Sequence, residues 1–480
     1  HAGEDWWTAS RGNSFGEPVY SVGHGSVTYA EPNGWGRDQG VVIIRHFFAD
    51  GRSYLSFYGH LDPPSVTLHA GDCVTRGMKV GEIGRPRTPP HLHFELRTHM
   101  PTEPGPGYWA EDPTLAGWLP PSQTIWHERI VSSPGVIWTI SGNDVRQLVG
   151  QLAPDTLLFL ESTRLVGLDA VTGAMRWQSD ALPGVVTAAL DSGQELLYGA
   201  TRAGKLLAYR APANGIFVPE PAWEFSLERP GVPTLIPAPT DGVLVAMRDT
   251  LYSLSAQGTL RWQQDMGSNL FAWTSRGQQL IVTTTGSQGQ VWLLDGDAPP
   301  APLAAGGGYP LAVQDALWLY AEDGLYRLDS AADSSVVRLQ ALPYASLTAG
   351  SITALSNGTV LLAHTDIYDR RLIALDSSGQ LQWQYSLRML PRGTFRLVVS
   401  ADQPYMILQG LPGNTSQVDV YAIDAAHGQL TRIFSGGTRQ GRGTATWSMP
   451  LADNLLINIG GGDMLLLDPL AAETAVSPDS

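Results

Sequence analysis

The chain is 480 residues long, more than one ordinary core organises, so two or three domains are expected. Only 16% of residues are charged against 43% hydrophobic, and the 53 Gly and 34 Pro suit short strands joined by turns, an all-β build, over long charged helices. A net charge of -15 argues against a nucleic-acid partner, no apolar run approaches the roughly 18 residues of a membrane span, and the lone Cys73 excludes an internal disulfide and a Cys-rich zinc site.

The chain opens on His1 in mid-motif and without a signal peptide, so upstream sequence is expected. Eight of its eleven histidines lie at or before residue 99: His1, His24, His46, His60, His69, His91, His93 and His99. Such crowding points to a metal or acid–base site, the alternative being a solvated, His-rich surface. His1-Ala2-Gly3-Glu4-Asp5 sets an imidazole and a carboxylate four apart, in what reads as a Gly-containing turn. His91-Leu92-His93-Phe94-Glu95 alternates polar and apolar, which predicts a half-buried strand with His91, His93 and Glu95 on one face and Leu92 and Phe94 in the core. Two imidazoles ~7 Å apart on one strand face can serve one site. Two His nitrogens and one Asp oxygen make a three-ligand zinc site whose open fourth position marks catalytic rather than structural zinc.

These residues carry a resemblance to the lysostaphin-type (LytM-like) zinc metallopeptidases, which hydrolyse peptidoglycan peptides. The family's His-x-Gly-x-Asp is met by His1, Gly3 and Asp5, and its Pro-Val and Gly-x-Val by Pro18-Val19 and Gly25-Ser26-Val27. Its hairpin ending in Tyr-x-His-Leu is met by Val41 to His46 and Tyr58-Gly59-His60-Leu61. Its Val- and Gly-spaced stretch is met from Val66 to Gly84, and its His-Leu-His-Phe-Glu at His91 to Glu95. By that resemblance His1, Asp5 and His93 would bind zinc, the implied cofactor. His60 and His91 would flank the scissile carbonyl and the attacking water, one moving protons and the other stabilising the oxyanion, in either order. Glu95 would orient a ligand imidazole or serve only structure; His46 reads as structural, and His24, His69 and His99 as surface residues. The loop Arg85 to Pro90 is shorter and stiffer than the family's, and Arg85 and Arg87 on it would favour carboxylate-bearing stem peptides over a neutral glycine bridge. An N-terminal His1 could instead belong to a copper-binding histidine brace, which leaves Asp5 and His60 without a role.

Residues 1–118 are thus read as the peptidase domain and 119–129 as a Pro-rich connector. From 130 to 472 a repeat recurs: Leu-x-x-Leu-Asp, a Gly turn, then a strand that often carries Trp. Its last position falls at 169, 210, 255, 295, 329, 376, 424 and 468, a mean step of about 43, the size of a four-stranded propeller blade. Eight copies suggest eight blades, and one step of 34 keeps seven open. The hairpins resemble PQQ-type (quinoprotein-like) repeats. No quinone cofactor is expected, because Cys73 alone cannot supply the vicinal disulfide common in quinoprotein dehydrogenases. Residues 473–480 read as a tail. The expected function is zinc-dependent hydrolysis of peptidoglycan cross-links outside the cell or in its envelope, with the propeller binding cell wall or a protein. The alternatives are a non-catalytic cell-wall-binding or regulatory protein and a quinoprotein oxidoreductase.

Overall fold

The computed structural model describes all residues other than 1, 9–13, 49–51, 100–103, 123, 126–127, 129–132, 141–145, 153–154, 213–216, 286–288, 329–335, 343–344, 367–368, 392, 411–415, 439–447, 461–462 and 477–480. It divides into two compact units, His1–Arg129 and Ile130–Ser480. No helix among the described residues is long and apolar enough to cross a membrane.

The first unit is built on a mixed-length antiparallel sheet. In chain order its strands are β1 (Glu4–Trp6), β2 (Pro18–Tyr20), β3 (Gly25–Glu31), β4 (Gly40–Phe47), β5 (Ser53–Leu61), β6 (Cys73–Val74), β7 (Lys79–Glu82), β8 (Leu92–Arg97) and β9 (Trp118–Leu119). The sheet runs β1-β8-β5-β4-β3-β6, with β9 also on β8 and β2 pairing β7 separately. The run Val41-Val42-Ile43-Ile44 makes β4 central, because alternate residues enter two cores. Val42 and Ile44 join Tyr58, Leu92, Phe94 and Leu96 on one face, and Val41 and Ile43 join Leu55 and Phe57 on the other. Burying each such side chain contributes about 2 kcal/mol.

Three sequence expectations change here. The segment around Asp5 is a strand rather than a turn: Glu4, Asp5 and Trp6 pair with Phe94, His93 and Leu92. Gly3 is needed for that approach, since a Cβ there would lie 2.4 Å from the Phe94 carbonyl oxygen. Strand β8 is buried on both faces rather than one, because β1, β5 and β9 flank it and the loop around residues 104–107 covers its polar face. Residues expected to form the connector pack on the sheet. Ile125 joins the apolar core, the Ser122 hydroxyl donates to Glu4, and Arg52 pairs with Glu128 at 2.6 Å.

The second unit is an eight-bladed propeller: the described residues form eight four-stranded antiparallel sheets. Blade one begins at Arg146 and blade seven ends at Thr438. Blade eight takes three strands from Ser448–Leu467 and its outermost from Val136–Ile140, which closes the ring by pairing the two ends of the unit. The first strands of successive blades neighbour one another and so line the axis. Each core cluster joins consecutive blades. Leu157 and Phe159 face blade eight's Leu456 and Met464, while Leu158 and Leu160 face blade two's Leu197 and Leu207. This period of two is why a blade cannot stand alone.

The apolar positions of the Leu-x-x-Leu-Asp repeat lie on the third strand of each blade. In blade one, Asp169 accepts the Val171 and Thr172 N–H groups at 2.9 and 2.8 Å, an Asx turn. The Gly and Trp of the repeat meet across blades. The Trp223 indole donates to the Ala256 carbonyl of the next blade at 2.8 Å, and its ring covers Gly258, where a Cβ would lie 2.6 Å from it. Trp138 with Gly173 and Trp383 with Gly428 repeat the arrangement. Residues 473–476, read as tail, complete a short helix, Pro469–Val476.

Candidate functional site

Four of the five residues singled out in the sequence meet on one face of the first sheet; His1, the fifth, lies outside the described residues. His93 stands in the middle of a row, paired to Asp5 of β1 on one side and Gly59 of β5 on the other. His91 lies just before β8.

His60 reaches the same face through a backbone irregularity. Regular alternation along β5 would send it, like Tyr58, into the apolar core. Instead the β4–β5 register shifts between Gly40 and Val41, and His60 adopts φ 62°, left-handed for a non-glycine residue. The extra residue puts Gly59 and His60 on one side and returns Leu61 to the core beside Tyr58. Such a bulge re-aims a side chain at local conformational cost.

Each imidazole has one nitrogen committed, which fixes what the other presents. His60 Nδ1–H donates to the Asp38 carbonyl at 2.8 Å, and His91 Nδ1–H to the Pro89 carbonyl at 2.7 Å. His93 Nε2–H donates to Glu95 Oε1 at 2.8 Å. The opposite nitrogens converge on Asp5: His93 Nδ1 is 3.0 Å and His91 Nε2 3.4 Å from Oδ1. His60 and His91 ring centroids are 4.7 Å apart.

Glu95 is fully buried. Besides His93 it accepts the Trp118 indole N–H at 2.7 Å and an ion pair from buried Arg97. The Arg97 guanidinium lies between the rings of Phe57 and Trp118, 4.7 and 4.8 Å from their centroids. Burial pushes Arg97's pKa down against the attraction of Glu95.

Burial pushes His60 down to about 4, so it is neutral near pH 7. Burial also opposes the charging of His91 and His93, but Asp5, together with the Pro89 carbonyl for His91 and Glu95 for His93, outweighs it and raises both. Burial raises Asp5, yet hydrogen bonds from His91 and His93 prevail and hold it well below the carboxylate range.

The donor set suits zinc in part. Asp5 Oδ1 and His93 Nδ1, 3.0 Å apart, are near the ~3.3 Å that two ligands of one tetrahedral zinc would have. The described residues alone supply no group of three side chains arranged to hold a metal.

Several site residues escaped sequence reading. The Trp35 ring lies 5.1 Å from His60 and 5.3 Å from His93, held by its indole N–H on the Gly105 carbonyl at 2.7 Å. Its flanking glycines in Gly34-Trp35-Gly36 were the available signal. Trp7 stacks on His91 at 5.4 Å and remains 41% exposed, walling the histidines on one side. Arg87, expected to meet substrate carboxylates, is exposed with its fork on Asp38, Nη2 to Oδ2 at 2.5 Å. Arg85 lies over the Phe15 ring at 4.0 Å. His46 is buried between the His24 carbonyl and the Ser56 hydroxyl, at 2.9 and 2.7 Å; His24, His69 and His99 are exposed.

Residues 1–104 match the profile of Peptidase family M23, and residues 220–442 that of the outer membrane protein assembly factor BamB. A search of curated proteins found no match to the chain. Among solved structures, Sqt1 of Saccharomyces cerevisiae is similar at 11% identity over 70% of this chain and 99% of that one, with a TM-score of 0.51, which shows the fold alone. BamB from Moraxella catarrhalis is similar at 18% identity over 70% of this chain and 97% of that one, with a TM-score of 0.48. The chain therefore carries an M23 (LytM-type) peptidase domain at residues 1–104, followed by an eight-bladed propeller that is BamB-like over residues 220–442.

Proposed function

We propose that the first unit is a zinc-dependent endopeptidase acting on the peptide cross-links of bacterial peptidoglycan, in the cell envelope or outside the cell. The observation that carries this is the convergence of His91 and His93 on Asp5 Oδ1 with His60 alongside, within a domain of peptidase family M23. His93 Nδ1 and Asp5 Oδ1 would hold zinc together with His1. When bound, zinc supplies Lewis acidity to the scissile carbonyl and to water.

The remaining work falls to the chain's own groups. With zinc in place, Glu95, accepting Nε2–H, would hold the His93 tautomer that presents Nδ1 without a proton to the metal. The Asp38 and Pro89 carbonyls do the same for Nε2 of His60 and His91. Between them these two imidazoles take the proton of the attacking water, steady the oxyanion and protonate the leaving amine. Trp7 and Trp35 wall the site and limit water.

The propeller is inferred to bind a protein partner or cell wall, in keeping with its likeness to an outer membrane assembly factor. The test of the catalytic reading is cleavage of purified cross-linked muropeptides by the full chain, read as new amino groups. Hydrolysis is expected to stop with a chelator, return with zinc, and be lost in His60→Ala. Cleavage by His60→Ala at the parent rate defeats the assignment.

A further inference from the structure

Residues 104–107 of the first unit read Pro-Gly-Pro-Gly, and all but the first lie beyond the stretch that matches peptidase family M23. Three of their carbonyls hold three separate donors. That of Pro104 accepts Arg97 Nη1–H at 3.0 Å. That of Gly105 accepts the Trp35 indole N–H at 2.7 Å. That of Gly107 accepts the Ala2 amide N–H at 3.1 Å. Each donor stands one step from the candidate metal site. Arg97 pairs with Glu95, the carboxylate behind His93. The Trp35 ring lies against His60 and His93. Ala2 is buried and is the chain neighbour of His1, the third proposed ligand.

Gly107 is the point of closest approach. A Cβ there would lie 3.0 Å from the Trp35 ring and 3.7 Å from His93 Nε2, and its φ of 69° is one that glycine takes without steric cost. Gly107 is buried, whereas Pro106 before it is exposed. Two prolines and two glycines bring little side-chain surface with which to cover β8. What they supply is backbone: the prolines fix φ and the glycines permit the close turns, so that successive carbonyls face different donors.

We propose that residues 104–107 are a positioning strap for the metal. Through Ala2, Gly107 sets His1 toward the site that Asp5 and His93 begin, and through Trp35 and Arg97 the same strap holds the surroundings of His93. A site of this kind works only when its ligands are held from behind. The inference rests on the zinc-dependent reading of the first unit and adds to it an element outside the M23 match. Because the strap acts through carbonyls, its role is exposed by changing its conformation rather than by deleting a side chain. An alanine at 107 must adopt a positive φ and drive a methyl group at Trp35, so the strap moves and Ala2 with it.

The test is zinc binding by the full chain, in competition with a chromophoric chelator and well below the melting transition, together with the visible spectrum of the cobalt-loaded chain. Gly107→Ala is expected to bind zinc about 10- to 100-fold more weakly than the parent, the range for groups that orient metal ligands. Its cobalt bands should shift, because a ligand is displaced. Pro106→Gly removes no described hydrogen bond and only loosens the strap, so binding about two- to fivefold weaker is expected. A strap with a structural role alone would lower the melting temperature of the metal-free first unit and leave the zinc affinity and cobalt spectrum of the folded chain as in the parent. Zinc affinity of Gly107→Ala within about threefold of the parent overturns the proposal. Where that variant does not fold, undiminished affinity in Pro106→Gly overturns it. Either result leaves the proposed function standing, whereas a parent chain that binds no zinc removes both.

Discussion

Replacing Glu95 by Gln changes one atom's identity and tests the support of the whole site. Glu95 Oε1 accepts His93 Nε2–H at 2.8 Å; Oε2 accepts the Trp118 indole at 2.7 Å and the Arg97 guanidinium. A glutamine has one acceptor oxygen and one NH2. If the oxygen stays on Trp118 and Arg97, the NH2 faces His93 Nε2 and forces the other tautomer, whose Nδ1–H points at Asp5. If the oxygen stays on His93, an NH2 confronts the donors of Arg97 and Trp118 with no solvent to relieve it. In both cases Arg97, which is fully buried, loses its counter-charge, which costs about 3–5 kcal/mol. For a unit of this size that lowers the melting temperature by roughly 10 °C or more. Loss of the carboxylate behind His93 should weaken zinc binding about 10- to 100-fold. Differential scanning calorimetry of the full chain reads the first, with the propeller transition as internal reference, and competition with a chromophoric chelator reads the second. The double variant Glu95→Gln/Arg97→Met should recover stability but not zinc affinity. The reasoning is refuted if Glu95→Gln melts within about 3 °C of the parent and binds zinc within about threefold.

Four further outcomes are expected. Asp5→Ala and His93→Ala should lose the approximately one zinc per chain that a three-ligand site implies, whereas His60→Ala should keep it, by elemental analysis. Arg87→Ala should lower kcat about tenfold with KM unchanged, because Arg87 ties Asp38, whose carbonyl orients His60, to the loop whose Pro89 carbonyl orients His91; steady-state kinetics decide it. Burial holds His46 below its usual pKa, so the unfolded chain takes up the proton first and stability present above about pH 6.5 falls as pH drops. His46→Gln should flatten that decline between pH 6.5 and 5 by at most about 1.4 kcal/mol per pH unit, measured by urea unfolding. A chain beginning at residue 130 should fold alone, by circular dichroism, because every blade cluster draws its members from the second unit.

The propeller was legible because its signals are local and repeated. Leu165 to Asp169 states a third strand and an Asx turn within five residues, and seven more copies fix the period. The one step of 34 left seven blades open, and only packing across blades closes the question: the last blade takes Val136–Ile140 from the other end of the unit. No local pattern marks that strand. Nor did the spacing of Gly and Trp within a repeat show that Trp223 serves Gly258 of the following blade rather than its own turn.

The candidate site was legible in its residue types and much less in its geometry. The alternation at His91 to Glu95 put three polar side chains on one face, but alternation also implied a solvated face. It could not show that Arg97 and Trp118 would seal Glu95 from water. Parity read along β5 from Tyr58 would place His60 in the core. What brings it beside His91 is one extra residue, taken at a positive φ that only long-range pairing between β4 and β5 can hold in place. Gly59 is part of the same device, because a Cβ there would come 2.7 Å from the Trp35 ring that covers His60 and His93. Tyr58-Gly59-His60-Leu61 is therefore a structural sentence as well as a chemical one: a core residue, a space for Trp35, a re-aimed imidazole and a return to the core.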